Sequence, residues 1–126
     1  MRCGDAVLMA VPGVPSQHLW ILITDPDPDT FLGAMVSVTT LRGTTDQTVI
    51  LQPCDHPFVK RPSAVHFGDA RLFDTRRVEE AIRAGGVHLH QRCSAALIAL
   101  LQDGALASPY TPNKVLEFCC RAYGRR

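Results

Sequence analysis

At 126 residues the chain is long enough to bury a real core as one domain without disulfides or metal. An apolar share of 46% and a charged share of 20% exclude a disordered chain, and a formal net charge of +1 excludes the overall basicity of a protein that coats nucleic acid. Five cysteines (Cys3, Cys54, Cys93, Cys119 and Cys120), two of them adjacent, argue against a secreted disulfide framework and for reduced thiols. With no secretory leader and no apolar run near the roughly 20 residues of a membrane span, they predict a cytoplasmic protein.

Along the chain, Ala6 to Val11 is a short apolar run ended by Pro12-Gly-Val-Pro15, and its length favours a strand over a helix. His18-Leu-Trp-Ile-Leu-Ile-Thr24 is rich in β-branched and aromatic residues and predicts a second strand. Asp25-Pro-Asp-Pro-Asp29 stops it, because each proline lacks an N–H and fixes its own φ. Gly33 to Thr40 alternates, with Val36 and Val38 on one face and Met35 and Ser37 on the other. A polar connector from Leu41 to Gln47 leads to a short strand over Thr48 to Leu51, and three prolines between Pro53 and Pro62 predict an irregular loop. Ser63 to Phe67 is a fifth strand, which Ala70 to Phe73 extends beyond Gly68.

Helical signals follow. Thr75 to Ala84 has a threonine N-cap, Val78 and Ile82 on one face, and Gly85-Gly86 as a stop. Ser94 caps a helix running to Gln102, with Gly104 as its C′ residue. Thr111-Pro112 opens a last helix with an apolar stripe of Val115, Leu116, Cys119 and Tyr123. Strands followed by helices predict an α+β fold, an antiparallel barrel over about residues 3–73 and helices over about 75–123 in a single domain 1–126. The arginines at 71, 76, 77 and 83 and at 121, 125 and 126 suit either phosphate contacts or solvated faces.

Gly4-Asp-Ala-Val7, His18 to Thr24, Met35-Val-Ser-Val-Thr-Thr40 and Ser63-Ala-Val-His66 resemble, in order, the MazF/PemK-like growth-inhibitor toxins over roughly residues 3 to 70. The resemblance implies an SH3-like barrel with appended helices, a homodimer, a small antitoxin partner, and metal-independent cleavage of single-stranded RNA without a cofactor. It also implies an arginine at the start of the second strand and a serine or threonine at the end of the third. Thr39 or Thr40 supplies the latter. Where the arginine is expected stands His18, followed by Leu19-Trp20, and an imidazole does not hold a phosphate bidentately as a guanidinium does.

Metal-free RNA cleavage needs a base for the 2′-hydroxyl, an acid for the leaving oxygen, and donors for phosphate. Histidine suits the first two roles, which makes His18 and His56 the pair to test. Lys60 and Arg61 offer charge, Thr39 and Thr40 offer hydroxyl donors, Asp46 can orient a histidine or contact a partner, and Trp20 can stack a base. Each has a plainer alternative: strand capping for His18, a turn hydrogen bond for His56, an Asx turn for Asp46, core packing for Trp20. A non-catalytic barrel that binds protein or nucleic acid is therefore a second expectation. A third is metal binding by His88, His90 and Cys93, although no four-ligand set is evident.

Overall fold

The computed structural model describes residues 1–14, 16–43 and 45–124. Pro15 and Thr44, and with them Arg125 and Arg126 of the basic C-terminal cluster, lie outside the described residues. The chain is α+β. In order it forms β1 (Ala6–Met9), β2 (His18–Leu22), β3 (Leu32–Thr40), β4 (Ile50–Leu51), β5 (Ser63–Asp74), α1 (Thr75–Ala84), β6 (His88–His90), α2 (Ala95–Ala107) and α3 (Asn113–Ala122). The strands make one antiparallel sheet in the order β4-β5-β3-β2-β1-β6, curled into a half-barrel.

Alternation puts each face of β2 and β3 into a different core. Leu19, Ile21, Ala34, Val36 and Val38 join the cluster that also holds Leu97 and Leu101 of α2 and Val115, Phe118 and Cys119 of α3. Trp20, Leu22 and Met35 face the other way, with Val7 and Met9 of β1 and Val78 of α1. Burial on both faces explains why β2 reads as an unbroken apolar run, as central strands with two covered faces do. Each such side chain contributes roughly 1.5–3 kcal/mol of hydrophobic stabilisation.

The helix ends follow local chemistry, with three departures from expectation. Asp74, not Thr75, caps α1: its carboxylate accepts from the Arg76 N–H at 3.0 Å, while the Thr75 hydroxyl donates to the Phe31 carbonyl at 2.8 Å. Gly85 ends α1 in the left-handed region at φ 87, as the glycine pair predicts. Ser94 caps α2 as expected, accepting from the Leu97 N–H at 3.1 Å. The helix then runs past Gly104 to Ala107. A Cβ on Gly104 would lie 2.5 Å from Val49 Cγ2 and 2.7 Å from Phe67 Cζ, so this glycine is a contact point between helix and sheet rather than a stop. The Thr111 hydroxyl likewise donates to the Ala105 carbonyl at 2.8 Å instead of capping α3, whose N-cap position is Pro112.

Two irregularities shape the sheet. Against β3 advancing from Met35 to Ser37, β5 advances from Arg71 to His66, a bulge around Phe67 to Ala70 that bends the strand. The proline-rich segment after β4 then crosses to the other edge strand, where His56 bonds the carbonyl of Gln91, the residue after β6. This segment ties together the two edges that the curled sheet leaves unpaired.

Candidate functional site

His18 begins β2 opposite Met9 and is half-buried. Its Nδ1 lies 3.2 Å from the Val38 carbonyl oxygen, which can only accept, so Nδ1 carries the hydrogen. In the neutral ring Nε2 is then the acceptor, 3.2 Å from the exposed Ser16 hydroxyl. Because Leu19 pairs with Val38, the next position outward sets His18 beside Thr39. Thr39 and Thr40 face Ala64 and Ser63 on β5, and the Ser63 hydroxyl donates to the Arg61 carbonyl at 2.9 Å. One end of the sheet thus gathers His18, Thr39, the exposed Thr40 and the exposed Lys60 and Arg61 that lead into β5.

His56 is elsewhere and differently used. It is 3% exposed. Its Nδ1 accepts from the Phe58 N–H at 3.1 Å, so its Nε2 carries the hydrogen donated to the Gln91 carbonyl at 2.7 Å. Both nitrogens are occupied, and the ring packs 5.1 Å from that of His90. Along β1, His90 pairs with Ala6 and His18 with Met9, three residues or roughly 10 Å apart. The expected pair of catalytic histidines is not brought together, because buried Val59 and partly buried Phe58, which packs 5.8 Å from the His90 ring, draw the His56 loop onto the β6 edge.

The other expected residues divide similarly. Trp20 is 0% exposed, edge-on to Phe73 at 5.4 Å with the Arg71 guanidinium 5.8 Å from its ring. It is a core residue with no face to offer a base. Asp46 Oδ1 accepts from the Thr48 N–H and hydroxyl at 2.9 and 2.6 Å, and Oδ2 from the Ser108 hydroxyl at 2.6 Å. Burial alone would raise its pKa, but the bonds from Ser108 and Thr48, aided by nearby His66, hold the carboxyl below the ordinary aspartate range. His88 is exposed, His90 accepts from the Gln91 N–H at 2.8 Å, and Cys93 is buried with its thiol pushed up to about 11 by that burial. Among the described residues no group of three or more His, Cys, Asp or Glu side chains is arranged to hold a metal ion.

The concavities include two with polar linings. A cleft of about 470 Å³ lies between the Asp25–Pro28 turn and the α2/α3 pair, where Cys3, Gln102, Arg121 and Tyr123 line it. A smaller one of about 210 Å³ is formed by Thr45, Asp46, His66, Gly68 and Tyr110. Asp46 was the one member with a sequence signal; its partner Ser108 is 62 residues away, and no local pattern links them.

Neither a protein-family model nor a curated protein matches the chain. Among the described residues no helix is long and apolar enough to cross a membrane.

Proposed function

We propose that this chain is an SH3-like, toxin-type barrel that binds single-stranded RNA in the cytoplasm and cleaves it without metal. The observation that supports this most is the His18 arrangement. The Val38 carbonyl holds one ring nitrogen and leaves the other, Nε2, beside an exposed hydroxyl at the strand end that carries Thr39, Thr40, Lys60 and Arg61. In this reading Nε2 takes the 2′-hydroxyl proton of bound RNA. The freed oxygen attacks the adjacent phosphorus, and the 5′-oxygen departs with a proton from solvent, leaving a 2′,3′-cyclic phosphate. Lys60 and Arg61 neutralise phosphate charge, and the threonine hydroxyls donate to its oxygens. His56 holds the loop that carries them. A homodimer and a small antitoxin protein as partner belong to the same reading.

A second reading, a barrel that binds single-stranded RNA without cutting it, is favoured by the occupation of both His56 nitrogens, which engages the expected second imidazole in the fold. Purified protein and its His18→Ala variant, incubated with labelled single-stranded RNA in chelator, separate the two. Cleavage that falls by about 10²–10⁴ in the variant supports the first. Binding without cleavage supports the second, and neither binding nor cleavage refutes both.

A further inference from the structure

Tyr110 is the least expected side chain on the surface, a large aromatic ring left 63% exposed. Its backbone is nevertheless held. Its N–H donates to the Ser108 hydroxyl oxygen at 3.2 Å, and that hydroxyl in turn donates to Asp46 Oδ2 at 2.6 Å. Facing it across Gly68 is His66, also exposed. A Cβ on Gly68 would touch both, 3.5 Å from Tyr110 Cβ and 3.7 Å from His66 Nε2, so the glycine keeps the space between them open. The cavity they enclose with Asp46 and Thr45 is about 210 Å³. That is below the ~300–1,000 Å³ of ordinary ligand pockets and suits one planar ring system.

The floor has a definite polarity. A carboxylate oxygen has roughly two acceptor sites. Asp46 Oδ1 spends both on Thr48, whereas among the described residues Oδ2 accepts only from Ser108 and retains one. The same bonds keep the carboxyl ionised, so the remaining site accepts an N–H strongly. Thr45 Oγ1 accepts from the Arg42 N–H at 2.7 Å and adds a second polar edge.

We propose that the Asp46–His66–Gly68–Tyr110 cavity is a subsite for one nucleobase of single-stranded RNA, and that it selects guanine. Tyr110 and His66 supply stacking surfaces, which serve any base. Asp46 Oδ2 supplies the choice: its one open acceptor site takes the ring N1–H of guanine, at the position where adenine presents a ring-nitrogen acceptor that the carboxylate repels. His66 lies three residues along β5 from Ser63, roughly 10 Å from the strand end with Thr40, within reach of a neighbouring nucleotide. This inference rests on the RNA-binding reading above.

The test uses the full chain with two probes. In the first, guanosine and cytidine monophosphates are titrated while the Gly68 and Tyr110 amide signals are followed by NMR. Guanosine monophosphate should move both at concentrations at least about tenfold lower. In the second, anisotropy is measured on a labelled short RNA carrying one guanine and on an all-adenine control. Tyr110→Ala, which removes an exposed ring and leaves the core intact, should weaken guanine RNA about tenfold or more and leave the control little changed. Gly68→Leu, which fills the gap between the two side chains, should do the same. Amides unmoved by guanosine monophosphate, or RNA binding indifferent to both variants, would overturn the subsite and leave the RNA reading standing. Guanosine monophosphate binding without RNA binding would keep the subsite and overturn that reading.

Discussion

Replacing His56 by alanine separates a structural histidine from a catalytic one. In the native chain this ring is 3% exposed and makes two hydrogen bonds, to the Gln91 carbonyl and from the Phe58 N–H. Alanine removes both, each worth about 1 kcal/mol net. It leaves a buried N–H and carbonyl short of partners and opens a void beside His90 and Val59, which brings the total to about 3 kcal/mol. For a domain of this size the melting temperature should fall by roughly 10 °C. Urea titration followed by fluorescence of the single tryptophan, the buried Trp20, reads the change directly. Below the transition, RNA cleavage by the folded variant should stay within about threefold of the native chain, against the 10²–10⁴ expected for His18→Ala. A His56→Ala protein of undiminished stability that has lost cleavage would refute this reasoning and restore His56 to the chemistry.

Gly104→Ala gains about 1 kcal/mol of helix propensity but drives a methyl against Val49 and Phe67, so the variant should be less stable by about 1–2 kcal/mol in urea; a more stable variant would mean that the α2 contact yields. Asp46 has a folded pKa below its unfolded one, so it adds stability above the ordinary aspartate range that is lost as pH falls through it toward the folded value; Asp46→Asn should flatten the acid limb of the stability–pH curve. His90 is the opposite case: burial first, then His56 and Lys60, lower its pKa, so the unfolded chain binds the proton more readily. Stability should therefore fall as pH drops below about 6.5, and His90→Asn should remove that slope. At pH 8 a disulfide reagent should modify exposed Cys54 rapidly and Cys93, buried with its thiol at about 11, only on unfolding.

What was legible in the chain is what depends on neighbours in sequence. The β2 and β3 runs, the proline turn between them and the Gly85 stop all follow from alternation, missing N–H groups or a left-handed φ. Gly104 was not, because a helix-ending glycine and a helix-docking glycine look alike until Val49, just before β4, and Phe67 of β5 are brought against it. The two histidines differ in how far local pattern reaches. His18 keeps the ordinary strand-end geometry that its position implies. A histidine among prolines reads as exposed, but Phe58 and Val59 beside His56 are apolar, and burying them carries the imidazole in with them. Two apolar residues shortly after a polar loop candidate were the available signal. The Asp46–Ser108–Tyr110 relay had none, since it exists only where the β4 approach meets the turn after α2. The two parts of the proposed interface therefore have different standing in the sequence. The strand end with His18 follows from local pattern, while the base-sized cavity follows from tertiary closure, and it is the cavity that supplies a means of choosing one nucleotide over another.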